Sequence, residues 1–113
     1  MEGADNEINE FDATFLDQPA ILDKIKACGV ITDEALKLAI SKCKVDADIH
    51  TICQEVDKFM DEELKKVFSN KKSKKLERGI AMPTCISVNE ICGHYSPMAD
   101  ESDKLKEGDV AKM

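Results

Sequence analysis

Aromatic residues are scarce in this sequence, which has four Phe, one Tyr and no Trp among 113 residues. Because aromatic rings supply much of the buried area in most protein cores, we expect a core built mainly from aliphatic side chains. A chain of this length can bury enough surface to fold as one small domain. Its 42% hydrophobic residues are ordinary for a soluble protein, whereas 35% charged residues leave few large side chains to fill an interior.

Long apolar segments and an N-terminal basic cluster are also missing. No apolar run approaches the roughly 18 residues that are needed to cross a bilayer. The first 17 residues contain six acids and no Lys or Arg, which excludes a secretory signal peptide. We therefore predict an intracellular protein that does not associate with membranes, with residues 1–17 forming a disordered acidic leader.

The cysteines lack the spacing of a disulfide framework or a zinc knuckle, because they are odd in number and form no C-x-x-C pair. Two of them, Cys43 and Cys53, fall on apolar helical stripes, where free cysteine is commonly buried. We predict reduced, mostly buried thiols. The five residues are Cys28, Cys43, Cys53, Cys85 and Cys92.

From Pro19 the spacing of apolar residues predicts helix. The first stripe favours one long amphipathic helix through Gly29, although a glycine in the interior leaves two shorter helices as an alternative. This stripe consists of Ile21, Ile25, Cys28, Thr32, Ala35, Leu36, Ala39, Ile40 and Cys43. A second helix follows, with Asp46 or Asp48 as its N-cap. Its stripe consists of Ile49, Ile52, Cys53, Val56, Phe59, Met60, Leu64, Val67 and Phe68.

After Gly79 the pattern changes to short β-type runs that end at turn residues. We predict strands within residues 80–82, 85–88 and 90–95, and a last strand that starts at Val110 after a turn at "KEGD", residues 106–109. The fold class is thus α/β (α+β), with two or three helices before short antiparallel strands. So few strands cannot cover two apolar helices, so we expect the front piece of a larger fold or dependence on a partner.

The stretch "ISVNEICGHYSP", residues 86–97, contains the candidate site residue His94. A histidine here could act as a general base, a metal ligand or a substrate contact, and each role requires converging partners. In a strand Cys92 and His94 would share one face, but two ligands are too few for structural zinc. No oxyanion hole supports a nucleophilic Cys92. From the residues alone we favour a hydrogen-bonded histidine at a strand end.

Residues 65–78 are basic, with six Lys and one Arg against a single Glu. Lys65 and Lys66 are explained by solvation and by the helix dipole, which favours cations at a C-terminus. The denser cluster could equally be a nuclear import signal or an RNA-phosphate contact. Its members are Lys71, Lys72, Lys74 and Lys75. The net charge of -7 and pI near 4.8 argue against a dedicated nucleic-acid-binding domain.

Two segments, "LERGIAMPTCISVNEICGHYSP" and "LKEGDVAKM", resemble the proliferation-associated (ErbB-binding) proteins, non-peptidase relatives of type 2 methionine aminopeptidases. The helical "LKLAISKCK" and "HTICQEVDKFM" match the family's lead-in, so the likeness covers residues 18–113. "PTCISVN" and "HYSP" are closer to the proliferation-associated branch than to the peptidase branch, which has a glycine in the first motif and Thr-Pro in the second.

The resemblance implies that residues 18–113 are the N-terminal part of a pita-bread (creatinase/aminopeptidase-like) fold. Peptidases of this superfamily use the histidine matching His94 to contact substrate, and later residues, two Asp, one His and two Glu, to hold two metal ions. The sequence stops at Met113, before that set, so we expect no metal, no cofactor and no enzyme activity.

The implied function is that of a non-enzymatic protein associated with ribosomes or structured RNA, with protein partners and a cytoplasmic and nuclear or nucleolar location. RNA contact or import would then involve the basic residues from Lys65 to Lys75. The alternative is an N-terminal fragment of a true methionine aminopeptidase, whose downstream sequence would contain the metal ligands. A third possibility is a fragment without activity that folds poorly alone.

Overall fold

A computed structural model describes residues 15–70 and 76–113 of the chain. Residues 1–14 of the predicted leader and the basic cluster at residues 71–75 lie outside the described residues. A short 3-10 helix at Phe15–Asp17 precedes two helices, α1 at Pro19–Lys42 and α2 at Ile49–Lys66. Two short strands follow, β1 at Ser87–Val88 and β2 at Ala111–Lys112. The chain therefore combines helices with short antiparallel strands, as the sequence predicted.

Helix α1 is continuous over 24 residues, so the alternative of two shorter helices is wrong. Pro19 lies in its first turn, where the missing N–H costs nothing and the fixed φ favours helix. Gly29 is accommodated inside the helix, because the cost of one glycine in a helix interior is only about 1 kcal/mol. The helix ends at Lys42, and the N–H of its C-cap, Cys43, donates to the carbonyl of Ile40.

The start of α2 is fixed by Asp48, one of the two N-cap candidates. Its carboxylate accepts hydrogen bonds from the N–H of Thr51 at 3.0 Å and from the Thr51 hydroxyl at 2.9 Å. Asp46, the other candidate, lies in the preceding turn with φ +67°. That left-handed conformation is one that aspartate tolerates well.

The core lies where α1 packs on α2 and where the later chain covers both. The small buried Ala35 and Ala39 allow α2 to approach α1 closely. Lys42 at the end of α1 pairs with Glu55 of α2 at 2.8 Å. The buried core cluster comprises Ala35, Ala39, Ile49, Ile52, Cys53, Val56, Ile86 and Leu105.

The predicted stripe of α1 is only partly correct. Ile25, Leu36 and Ile40 remain 44–58% exposed, whereas Ile31, which lies outside the predicted stripe, is 8% exposed. The physical reason is that α2 covers a narrower strip of α1 than the sequence pattern implied. In the described part of the chain, the apolar surface beside that strip stays open.

The predicted strands at residues 80–82 and 90–95 are wrong. Residues 81 and 82 form a bend, and within 90–95 the backbone of His94 has φ +61°, a left-handed conformation that interrupts a strand. Of the run 85–88 only β1 pairs, with Ser87 opposite Lys112 in antiparallel register. The last strand begins at Ala111 rather than Val110, after the predicted turn, where Gly108 has φ +87°.

None of the helices described for residues 15–70 and 76–113 has the length and apolar character that spanning a membrane requires.

Candidate functional site

The segment that contains His94 is attached to the first half of α2 by hydrogen bonds. Asp57 accepts from the backbone N–H of Thr84 at 2.8 Å and from its hydroxyl at 2.6 Å. Ile86, which is fully buried, then packs into the core between the helices. The beginning of the segment is thus held by one polar contact and one apolar contact.

The middle of the segment folds back on itself. The N–H of Ile86 donates to the carbonyl of Tyr95 at 2.9 Å, and the N–H of Tyr95 donates to Ser87 Oγ at 3.3 Å. Ser87 is 2% exposed and is satisfied by this bond. Burial and the nearby Asp103 carboxyl raise the pKa of the Tyr95 hydroxyl. Tyr95 is therefore a neutral hydrogen-bonding group at physiological pH.

His94 itself is exposed and has φ +61°. In the sequence it lies between Ile91 and Tyr95, which are both half-buried. Cys92 is also exposed. The prediction that Cys92 and His94 share one face of a strand is wrong, because no strand forms at residues 90–95. The proposed role of His94 as a pocket residue stays a prediction.

The other histidine, His50, has the contact that sequence reasoning missed. Its ring Nδ1 lies 2.9 Å from the carbonyl oxygen of Pro97, and its backbone N–H donates to Ser102 Oγ at 2.9 Å. His50 therefore holds the end of the "HYSP" motif against the first turn of α2. Pro97 is 47 residues further along the chain, so no local pattern could have indicated the contact.

The thiols differ in environment. Cys53 is buried, and burial, together with Asp57, raises its pKa to about 11. Burial also raises the pKa of Cys43. Cys28 and Cys92 are exposed, which corrects the expectation of mostly buried thiols. All five cysteines are free.

Within residues 15–70 and 76–113, no group of three or more His, Cys, Asp or Glu side chains is placed to hold a metal ion.

Lys65 and Lys66 lie in the last turn of α2 and make ion pairs with acids of the same helix. Lys65 contacts Asp61 and Lys66 contacts Glu63, both at 2.9 Å. Hydrogen bonds to these carboxylates raise the pKa of both lysines. These contacts agree with the interpretation of Lys65 and Lys66 as part of a solvated helix end.

Arg78 closes the C-terminal end of α2. Its guanidinium donates to the carbonyl oxygens of Leu64 and Val67, and to that of Phe68 at 2.9 Å. Leu64 lies in the last turn of α2 and Val67 is its C-cap, so these two carbonyls are ones that the helix leaves unpaired at its end. Arg78, which follows the basic cluster, thereby holds its part of the chain against the end of α2, which precedes the cluster. Its own charge is engaged in this cap.

Comparison with known proteins identifies relatives over the whole chain, although no family model matches. Proliferation-associated protein A of Dictyostelium discoideum is 42% identical over 116 residues, covering 100% of this chain and 30% of that protein. ErbB-3 binding protein 1 of Arabidopsis thaliana is 41% identical over 98 residues, covering 87% of the chain and 25% of its own length. A curved DNA-binding protein of Schizosaccharomyces pombe is 34% identical over 101 residues, 87% of the chain and 26% of that protein.

A more distant relative is an enzyme. Methionine aminopeptidase of Methanothermus fervidus is 30% identical over 92 residues, which cover 81% of this chain and 42% of that enzyme. The chain spans less than a third of the length of the three more similar relatives, whose names denote no enzyme. By its similarity along the whole sequence, the chain belongs to the family of proliferation-associated, ErbB-3-binding proteins.

Proposed function

We propose that the chain is a non-enzymatic binding module that contacts structured RNA, including ribosomal RNA, through the lysine cluster at Lys71, Lys72, Lys74 and Lys75. The observation that supports the proposal is the density of the cluster in the sequence, with four lysines among the five residues 71–75. The flanking Lys65, Lys66 and Arg78 are engaged with acids or with backbone carbonyls. We therefore assign the phosphate contacts to the cluster and not to its neighbours.

The names of the more similar relatives support binding, whereas enzyme names occur among the more distant relatives. One relative is named as binding DNA and another as binding ErbB-3, so a nucleic-acid contact and a protein contact both have a precedent in the family. The pita-bread fold, with His94 as an inherited pocket residue, is part of the same proposal, and the similarity to an aminopeptidase supports it. The proposed location is cytoplasmic and nuclear or nucleolar, with the same cluster as import signal.

Salt dependence provides the test, because phosphate contacts release counterions. The affinity for a fluorescein-labelled RNA hairpin would be measured by anisotropy at several salt concentrations. Four phosphate contacts predict a slope of log affinity against log salt of about -3. Reversing all four lysines of the cluster to Glu removes most of the affinity and of the slope.

The matched control reverses two lysines that are already paired, Lys65→Glu with Lys66→Glu. We expect this variant to retain more affinity per charge removed than the cluster variant. A wild-type slope near zero, or equal losses per charge in the two variants, would contradict the proposal.

A further inference from the structure

Ser96 and Pro97 form a Ser-Pro pair in an exposed part of the "HYSP" motif. Ser-Pro occurs once in the sequence, and Thr-Pro does not occur. Ser96 is exposed, and residues 94–98 belong to no helix or strand. Local opening of this segment therefore breaks no regular secondary structure, which lowers the cost of presenting the serine to a modifying enzyme.

The proline after the serine indicates the class of enzyme. Pro97 has no backbone N–H. A kinase whose pocket for the residue after the acceptor offers no hydrogen-bond partner accepts proline, whereas any other residue would leave its N–H unpaired there and lose affinity. Kinases with such a pocket are called proline-directed. Ser96 has the sequence context that they select.

Ser96 lies at the point where the "HYSP" motif is held against α2. The carbonyl oxygen of Pro97 is 2.9 Å from His50 Nδ1. The side chain of Ser96 hydrogen bonds with the thiol of Cys53, and this bond partly offsets the effect of burial on the Cys53 pKa. His50 and Cys53 are three residues apart on the same helix. Two successive residues of the motif are therefore anchored to one turn of α2.

Negative charge surrounds this anchored segment. The carboxylates of Asp103, Glu101 and Asp48 act on Tyr95, the residue before Ser96, and contribute to the raised pKa of its hydroxyl. A phosphoserine carries a charge of about -1.5 to -2 at neutral pH. A phosphate on Ser96 would therefore be repelled by the carboxylates around the segment, and this repulsion opposes the anchored conformation.

We propose that Ser96 is a phosphorylation site for proline-directed kinases and that the phosphate releases residues 95–97 from α2. In the reaction Ser96 Oγ bonds to the γ-phosphorus of ATP, the bond from that phosphorus to the bridging oxygen breaks, and ADP leaves. The hydroxyl proton passes to the catalytic aspartate of the kinase. A charged phosphate cannot replace the hydroxyl beside the buried Cys53 without losing its hydration. This proposal is independent of the RNA contact.

The first test is incubation of the purified chain with an activated mitogen-activated protein kinase and ATP, followed by peptide mapping. We expect one phosphate, on Ser96, and none in Ser96→Ala. Pro97→Ala is the matched variant, because it keeps the acceptor hydroxyl, and its rate should be about tenfold lower or less. Ser102, which Asp103 follows, is an internal control if circular dichroism shows that Pro97→Ala is unfolded.

A synthetic peptide of residues 90–103 shows whether the kinase accepts the sequence outside the fold. Phosphorylation of the peptide but not of the chain would overturn the proposal, and so would phosphorylation of neither. Equal rates at Ser96 and Ser102 would also overturn it. His50→Ala removes one anchor of the segment, so we expect this variant to be phosphorylated faster than the wild type.

Alkylation of Cys53 by iodoacetamide tests the release. We expect Cys53 to react about tenfold faster or more in the phosphorylated chain, while the exposed Cys28 reacts at an unchanged rate. Ser96→Ala loses the contact with Cys53 but gains no charge, so its Cys53 should stay protected. Equal Cys53 rates with and without the phosphate would overturn the proposed release.

Discussion

Asp57 accepts two hydrogen bonds from Thr84, one from the backbone N–H at 2.8 Å and one from the hydroxyl at 2.6 Å. This pair joins the middle of α2 to the segment that leads through Ile86 to His94. A hydrogen bond to a charged carboxylate is stronger than one between neutral groups. The position of the segment relative to the helices therefore depends on this contact.

Replacing Thr84 by Val should lower the free energy of unfolding by about 1–3 kcal/mol, because Asp57 loses a partner at a partly buried position. The measurement is chemical denaturation monitored by circular dichroism. Thr32→Val is the matched control, since the Thr32 hydroxyl bonds the carbonyl of Cys28 on the exposed face of α1. A loss as large at Thr32 as at Thr84 would argue against a special role for the pair.

Stability should fall in acid because two aspartates are stabilised in their charged form. Hydrogen bonds from Ser102 and Thr51 lower the pKa of Asp48, and hydrogen bonds from Asn89 and Lys106 lower that of Asp109. A lowered folded-state pKa contributes stability above the unfolded value of 3.8, and this stability is lost as the pH falls through the folded pKa.

The double variant Asp48→Asn with Asp109→Asn should be less dependent on pH between about pH 5 and pH 2 than the wild type. Asparagine is still a good N-cap, so the variant should fold. Urea midpoints at neutral and acid pH provide the comparison. Identical pH dependence in both proteins would show that these carboxylates do not link folding to protonation.

Thiol reactivity should follow exposure and pKa. At neutral pH iodoacetamide should modify Cys28 and Cys92 first, because both are exposed, while Cys53, with its pKa of about 11, should react only after unfolding. Peptide mapping by mass spectrometry at increasing times gives the order. Modification of Cys53 in the folded protein at the rate of Cys28 would be inconsistent with the described core.

His94 has a backbone conformation that glycine adopts more readily, with φ +61° on an exposed residue. We therefore expect His94→Gly to leave stability unchanged or to raise it by up to about 1 kcal/mol. Ala81→Gly, at an exposed bend without positive φ, should instead lower it by a few tenths to about 1 kcal/mol. Thermal melts of both variants provide the measurement. A marked loss of stability for His94→Gly would indicate that the histidine has a packing role.

The helices were predictable because their signals are local. The spacing of apolar residues and the side chain of Asp48 act within one or two turns, so α2 starts at one of its two predicted caps. The strands were not predictable in the same way, because a short apolar run forms a strand only where a partner strand is available. Part of the run 85–88 pairs with β2, whereas residues 80–82 and 90–95 form no strand.

The candidate site shows the same division. His94 is exposed and has a left-handed backbone, and the contact of His50 with Pro97 depends on how the chain returns to α2. Neither can be derived from neighbouring residues. The family, in contrast, was recognisable from the "PTCISVN" and "HYSP" motifs and is confirmed by relatives 39–42% identical.

The central proposal is that this chain binds partners and does not cleave peptides. The most direct test is methionine release from the peptide Met-Ala-Ser by the purified chain, followed by mass spectrometry with and without added Co²⁺ or Mn²⁺. We predict no metal-dependent release above that of a mock purification from the same host. Metal-dependent release that co-purifies with the chain and disappears in His94→Ala would contradict the claim.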